Sequence, residues 1–181
     1  ILRLESPTIS IPTFSGGKYE MAFNHYVATE AKWDGGNIKY SLNGGAWMLL
    51  PITAFTYNGY NTTLDGTSDN NNPLKGQRAF TGTDGGSLAG SWGQSVIDLS
   101  KIGVVSGSNI KFRFELGTDG CNGVDGWYLD ELYVYNCSVL AVEDVQKHNS
   151  ITVYPNPTSG FVTIQNAKNS NLKHIEVYDA S

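Results

Sequence analysis

Three stretches of the chain alternate apolar and polar residues with a period of two. Tyr19, Met21, Phe23 and His25 share one face of the first, which predicts a half-buried strand with His25 pointing along with its apolar set. Ile38, Tyr40 and Leu42 alternate with Asn37, Lys39 and Ser41, and Asn43-Gly44-Gly45 then leads into Trp47 and Leu49. Asn-Gly tolerates positive φ, so this second stretch predicts a β-hairpin. Ile110, Phe112, Phe114 and Leu116 alternate with Lys111, Arg113 and Glu115, which predicts a strand covering a core with one face and meeting water with the other.

Between the second and third stretches, Thr53 to Gly93 is rich in Gly, Asn, Asp, Ser and Thr, and includes the run Asp65 to Pro73. That composition favours irregular backbone, and a loop this long is expected to be functional or pinned, for which metal or aromatic anchors could serve by offsetting its conformational entropy. Polar residues from Ser138 to Asn149 read as a linker. The predicted organisation is a sandwich over 1–138, a linker over 139–150 and a small β unit over 151–181. That last unit holds a strand and turn at Ile151–Gly160 and strand-like runs around Phe161, Thr163, His174, Glu176 and Tyr178. Three short strands close no core, so the natural chain is expected to run on past Ser181, and the start at Ile1 lacks the plan of a signal peptide.

Composition sharpens the fold class. In 181 residues, 16% are charged, 12% are aromatic and 21 are glycine, which fits an all-β protein with tight turns. A net charge of -5, with scattered Lys and Arg, offers no field for nucleic acid. No apolar run approaches the ~20 residues of a membrane span. Cys121 and Cys137 suit one disulfide in an oxidising compartment, with two free thiols as the alternative. Without Cys-x-x-Cys, and with His25, His148 and His174 far apart, a zinc enzyme is disfavoured.

Strand alternation through Trp127–Tyr135 groups Asp130 with Tyr128, Leu132 and Val134, a carboxylate on a mainly apolar face that needs a partner. Calcium is the cation expected there, with Glu30, Asp34, Asp84, Asp119 and Asp125 in nearby glycine-flanked loops as further oxygen donors. An arginine could instead face Asp130, or Asp130 could accept backbone N–H groups and the other acids could be turn residues. Asp65 to Asn72 lacks EF-hand spacing, and no zinc-protease, nucleophile-elbow or phosphate-loop motif occurs. His25 reads as a core histidine rather than a base. The rings of Trp33, Trp47, Tyr57, Tyr60 and Trp92, in or beside loops, could stack on sugars or peptide side chains, and Trp127 reads as the core tryptophan.

The tracts Leu4-Glu5-Ser6-Pro7, Phe23 to Gly36, Ser41 to Trp47 and Gly126-Trp127-Tyr128-Leu129-Asp130-Glu131 together resemble a MAM-like jelly-roll module of the kind that follows the catalytic domain of secreted fungalysin-type metallopeptidases. The resemblance implies a non-catalytic accessory domain, here expected to be calcium-stabilised, beside a catalytic neighbour. None of the peptidase's zinc-binding motif is present, so its activity does not transfer to these residues. Tyr154-Pro155-Asn156-Pro157 with Gly160, followed by Ile175-Glu176-Val177-Tyr178-Asp179, resembles the start of a type IX secretion C-terminal sorting domain, a small Ig-like β-sandwich. That implies export across a Gram-negative outer membrane, with the secretion machinery as partner and a secreted or cell-surface destination. Two other readings stand beside the accessory module: an adhesin that binds extracellular glycan or protein, and an independent hydrolase with paired acids in a cleft.

Overall fold

The computed structural model describes residues 1–14, 16–83, 92–121, 123–137, 151–154 and 159–166 together with His174 and Glu176. The three alternating stretches become long antiparallel strands, β3 (Lys18–Ala28), β4 (Gly35–Leu42) and β10 (Asn109–Gly117), and two more long strands are β9 (Trp92–Asp98), which the sequence pattern does not predict, and β11 (Gly126–Cys137). Shorter strands complete two sheets, namely β1 (Leu2–Glu5), β2 (Ile9–Ser10), β5 (Met48–Leu49) and β6 (Phe55–Tyr57). One sheet runs β1-β10-β4-β5, with β2 also pairing β10, and the other runs β11-β3-β9-β6. Successive long strands pass from sheet to sheet, giving an all-β jelly-roll sandwich. The expected hairpin joins β4 to β5, with Asn43 and Gly44 at φ 52° and 74° and the Gly45 amide donating to the Leu42 carbonyl.

The core lies between the inward faces. Met21, Phe23, Val27 and Ile97 from one sheet meet Ile38, Tyr40, Ile110, Phe112 and Phe114 from the other. Phe23 and Phe112 are fully buried, each contributing roughly 1.5–3 kcal/mol by leaving water. The polar face of β10 is not simply wet. Glu115 is buried beneath Arg3, Lys39 and Arg113, with carboxylate distances of 3.0, 2.7 and 3.7 Å.

The long excursion after β5 folds back on itself through β7 (Thr62–Thr63) and β8 (Arg78–Ala79), which pair with each other. Tyr60 and Phe80 enter the main core as its aromatic anchors, while Leu64, Leu74 and Ala79 form a small core of their own. Buried amides complete the attachment. Asn72 Nδ2 donates to the Trp33 carbonyl at 2.8 Å, its Oδ1 accepts the Leu74 amide at 2.8 Å, and Asn70 Oδ1 accepts the Asn72 amide at 2.8 Å.

The chain divides into two units, Ile1–Ser138 and Val139–Ser181. In the second, β12 (Ile151–Tyr154) pairs antiparallel with β13 (Thr163–Asn166). The expected linker falls outside the described residues. Among the described residues no helix is long and apolar enough to cross a membrane.

Candidate functional site

At one end of the sandwich the β3–β4 and β10–β11 connections come together and bring three carboxylates with them. Oxygens of Glu30, Asp34 and Asp119 lie within 4.8 Å of one another. Asp34 is 2% exposed, and its Oδ1 accepts the Asp119 amide at 2.8 Å. Hydrogen bonds set the loop. The Asp34 amide donates to the Glu30 carbonyl at 2.9 Å, Thr29 Oγ1 donates to the Asp34 carbonyl at 3.1 Å, and Thr81 Oγ1 donates to that same carbonyl. On the opposing loop, Asp119 Oδ1 accepts the Cys121 amide at 2.8 Å. Burial pushes the Asp34 carboxyl above its ordinary value; the Asp119 amide opposes this, and the Asp119 and Glu30 charges add to it.

This donor set fits calcium. It consists of hard oxygens without sulfur or imidazole, and two oxygens on one calcium, each about 2.3–2.6 Å from it, sit up to about 5 Å apart. Three of the residues read from sequence as metal donors therefore meet. Asp84 lies outside the described residues. Asp130 does not join the group: it is exposed, and its Oδ1 accepts the neighbouring Glu131 amide at 2.8 Å. The face grouping expected for it also fails beyond Tyr128. A bulge between Asp130 and Tyr133, with Glu131 at φ 49°, shifts the phase of β11, so Val134 packs on the core while Asp130 faces out. Asp125 is likewise exposed, and its Oδ2 accepts the Tyr26 hydroxyl at 3.4 Å.

His25 is sealed in the core at 0% exposure. Its Nδ1 accepts from Trp127 Nε1 at 3.1 Å. Indole N–H is only a donor, so Nδ1 carries no proton and the neutral ring holds its hydrogen on Nε2. That hydrogen points at Ser95 Oγ, 3.0 Å away, which in turn donates to the Asn58 carbonyl at 2.6 Å. Desolvation lowers the His25 pKa to about 4. The ring is thus a structural relay between β11, β3 and β9.

The disulfide expected from sequence is ruled out by strand geometry. Both cysteines are free. Gly126 pairs with Ala28 and Cys137 with Lys18, at opposite ends of β3. Those ends are roughly 33 Å apart, and the chain from Cys121 to Gly126 reaches at most about 18 Å, leaving at least about 15 Å where a bridge tolerates about 7 Å.

The aromatic candidates also separate. Tyr60 is a core residue whose hydroxyl donates to the Ile38 carbonyl at 3.2 Å, and burial raises its pKa, so it offers no ligand platform. Trp33 is half-buried, and its carbonyl accepts from Asn70 and Asn72. Tyr57 and Trp92 are exposed on the outward side of the β11-β3-β9-β6 sheet. Sequence reasoning missed Thr81, Asn70 and Asn72 as the groups that set the carboxylate loop; the run of asparagines before Pro73 was the available signal.

Of the sorting-motif residues, Tyr154 ends β12 and is exposed, Gly160 is exposed beyond it, and Pro155, Asn156 and Pro157 lie outside the described residues. No curated protein matches the chain. Residues 152–181 match the family of secretion system C-terminal sorting domains. The chain therefore carries a type IX secretion sorting domain at 152–181, which marks it as an exported protein, secreted or held at the cell surface, that is handled by the type IX machinery.

Proposed function

We propose that the N-terminal sandwich is a non-catalytic accessory module of an exported multidomain protein, stabilised by a calcium ion at the Glu30–Asp34–Asp119 end. Its partner is an adjacent catalytic domain of the same parent, of the secreted metallopeptidase kind suggested by the MAM-like tracts. The observation that carries the reading is the convergence of three carboxylates from two separate loops, one of them buried, within 4.8 Å. Holding like charges this close disfavours the fold unless a cation or a proton intervenes. A non-catalytic role is supported by His25, which has no access to solvent and spends both ring nitrogens inside the core.

Calcium binding would bridge the β3–β4 and β10–β11 loops and supply structural cross-linking rather than chemistry. The test is thermal unfolding of the full chain with calcium and with chelator. Calcium at about a hundred times its dissociation constant adds about 2.7 kcal/mol, a shift of several degrees. Asp34→Asn, which keeps the acceptor for the Asp119 amide, abolishes the shift. Identical melts with calcium and chelator refute the reading.

A further inference from the structure

The outward face of the β11-β3-β9 sheet carries a feature that the carboxylate cluster does not explain. Strand register sets Tyr26 of β3 opposite both Tyr128 of β11 and Trp92 of β9, so three aromatic residues form one row across three adjacent strands. The ring centroids are 5.8 Å apart for Tyr26–Tyr128 and 6.2 Å for Tyr26–Trp92. Trp92 is 58% exposed and Tyr128 52%. With Asp125 these rings line a shallow depression of about 270 Å³, and the Asp125 carboxylate accepts the Tyr26 hydroxyl at 3.4 Å.

One pleat further along the same face lies a polar row, Asp130–Asn24–Gln94. The bulge in β11 turns Glu131 onto it, so that Asn24 Nδ2 donates to Glu131 Oε2 at 2.6 Å, while Gln94 Nε2 reaches Asn24 Oδ1 at 3.4 Å. Bulges of this kind re-aim side chains beside functional surfaces. Cross-strand aromatic pairing alone would stabilise a sheet, but it does not require rings to stay more than half in water, and a contiguous exposed apolar patch marks a binding surface.

We propose that this row is a binding site for a neutral polysaccharide. A sugar ring has C–H faces and a rim of hydroxyls, and the surface has the matching parts: flat rings for the faces, then carboxylate and amide groups for the hydroxyls. Asp125, Asp130 and Glu131 make the surface repel acidic glycans and nucleic acids. A protein partner would instead favour an interface centre depleted of charge.

The experiment is native affinity electrophoresis of the full chain through gels containing mixed-linkage β-glucan, xyloglucan, mannan or starch, with alginate as the acidic polymer. Retardation is expected in at least one neutral gel. Trp92→Ala and Tyr128→Ala should each weaken it tenfold or more while lowering the thermal melt by no more than the few degrees that one lost cross-strand aromatic pair costs. Trp47→Ala should leave it unchanged, because that ring lies on the other sheet under Arg113, 3.9 Å from its centroid. Absence of retardation in every neutral gel, retardation by alginate alone, retention of binding in the Trp92→Ala/Tyr128→Ala double variant, or equal loss in Trp47→Ala each overturns the proposal.

Discussion

Acidification from about pH 7.5 to about pH 4.5 should remove about 2.5 kcal/mol of stability from the sandwich through His25 alone. The unfolded imidazole titrates near 6.5, whereas the buried ring, which accepts the Trp127 indole hydrogen at Nδ1, titrates at about 4. Between those values the unfolded chain binds a proton that the native state does not. The His25 contribution is therefore complete above the unfolded value and drains away as the pH falls towards 4, below which both states are protonated. At about 1.4 kcal/mol per pH unit the whole window is worth about 3 kcal/mol, most of it lost by pH 4.5.

Among the carboxylates, burial raises Asp34, which therefore works in the opposite sense, its native form taking up a proton before the unfolded one does, and it does so equally in a His25→Asn control. Asp98 and Glu115 are held below their ordinary values, against the desolvation that raises them, by Ser100 and Lys18 and by Lys39 and Arg3 respectively, so their stabilisation is lost only as the pH falls below the ordinary carboxylate range. Urea unfolding across this pH range, followed by tryptophan fluorescence, reads the sandwich alone, because Trp33, Trp47, Trp92 and Trp127 all precede residue 138. The control is His25→Asn, which can still accept from the indole but does not titrate. Parallel pH dependences for the two proteins, or a His25 proton resonance that titrates near 6.5, would refute the argument.

Two further outcomes follow from packing and strand geometry. Gly36→Ala should cost about 1–3 kcal/mol, since the added methyl overlaps the Trp127 indole and must displace the donor to His25; a lowered urea midpoint with unchanged slope checks it. The denatured, unreduced chain should titrate two thiols, because Cys121 and Cys137 are both free and flank the full length of β11.

What could be read from the sequence was what depends on local periodicity. The β4–β5 hairpin, the buried face of β10 and the inward placement of His25 all follow from side chains alternating across a strand. Trp127 is legible as the core tryptophan from its size and its place at the start of the strand, not from alternation, which sets Tyr128 and Asp130 on the apolar face; it packs partly buried against the core. Asp130 was misplaced because a bulge at Glu131 reverses the phase within one strand, and nothing in Asp130-Glu131-Leu132 announces it. The disulfide failed for a related reason: residues sixteen positions apart are near in sequence but flank an extended strand. Glu30, Asp34 and Asp119 could be named from their glycine-flanked loops. Their meeting could not, since it depends on β4 and β10 pairing in the register Gly35↔Gly117, which sets the loops before and after those strands side by side.

That same register bears on what a metal could contribute. The Glu30–Asp34 loop owes its shape to hydrogen bonds from Thr29, Thr81 and its own amides, and Asn72 and Asn70 tie the next carbonyl, Trp33, to the long excursion. None of these needs a cation. Calcium removal should therefore lower the melting temperature without unfolding the sandwich at ambient temperature, unlike a small metal-dependent domain that loses its fold on chelation. Removing the amide tie should lower stability with or without the metal. Asn72→Ala leaves the Leu74 amide and the Trp33 carbonyl short of buried partners, a cost of about 1–3 kcal/mol whether or not calcium is present, and it loosens the loop that carries Glu30 and Asp34. Melts of this variant should show both a lower baseline and a smaller calcium increment. A lower baseline with a full increment would separate the amide scaffold from the carboxylates it adjoins.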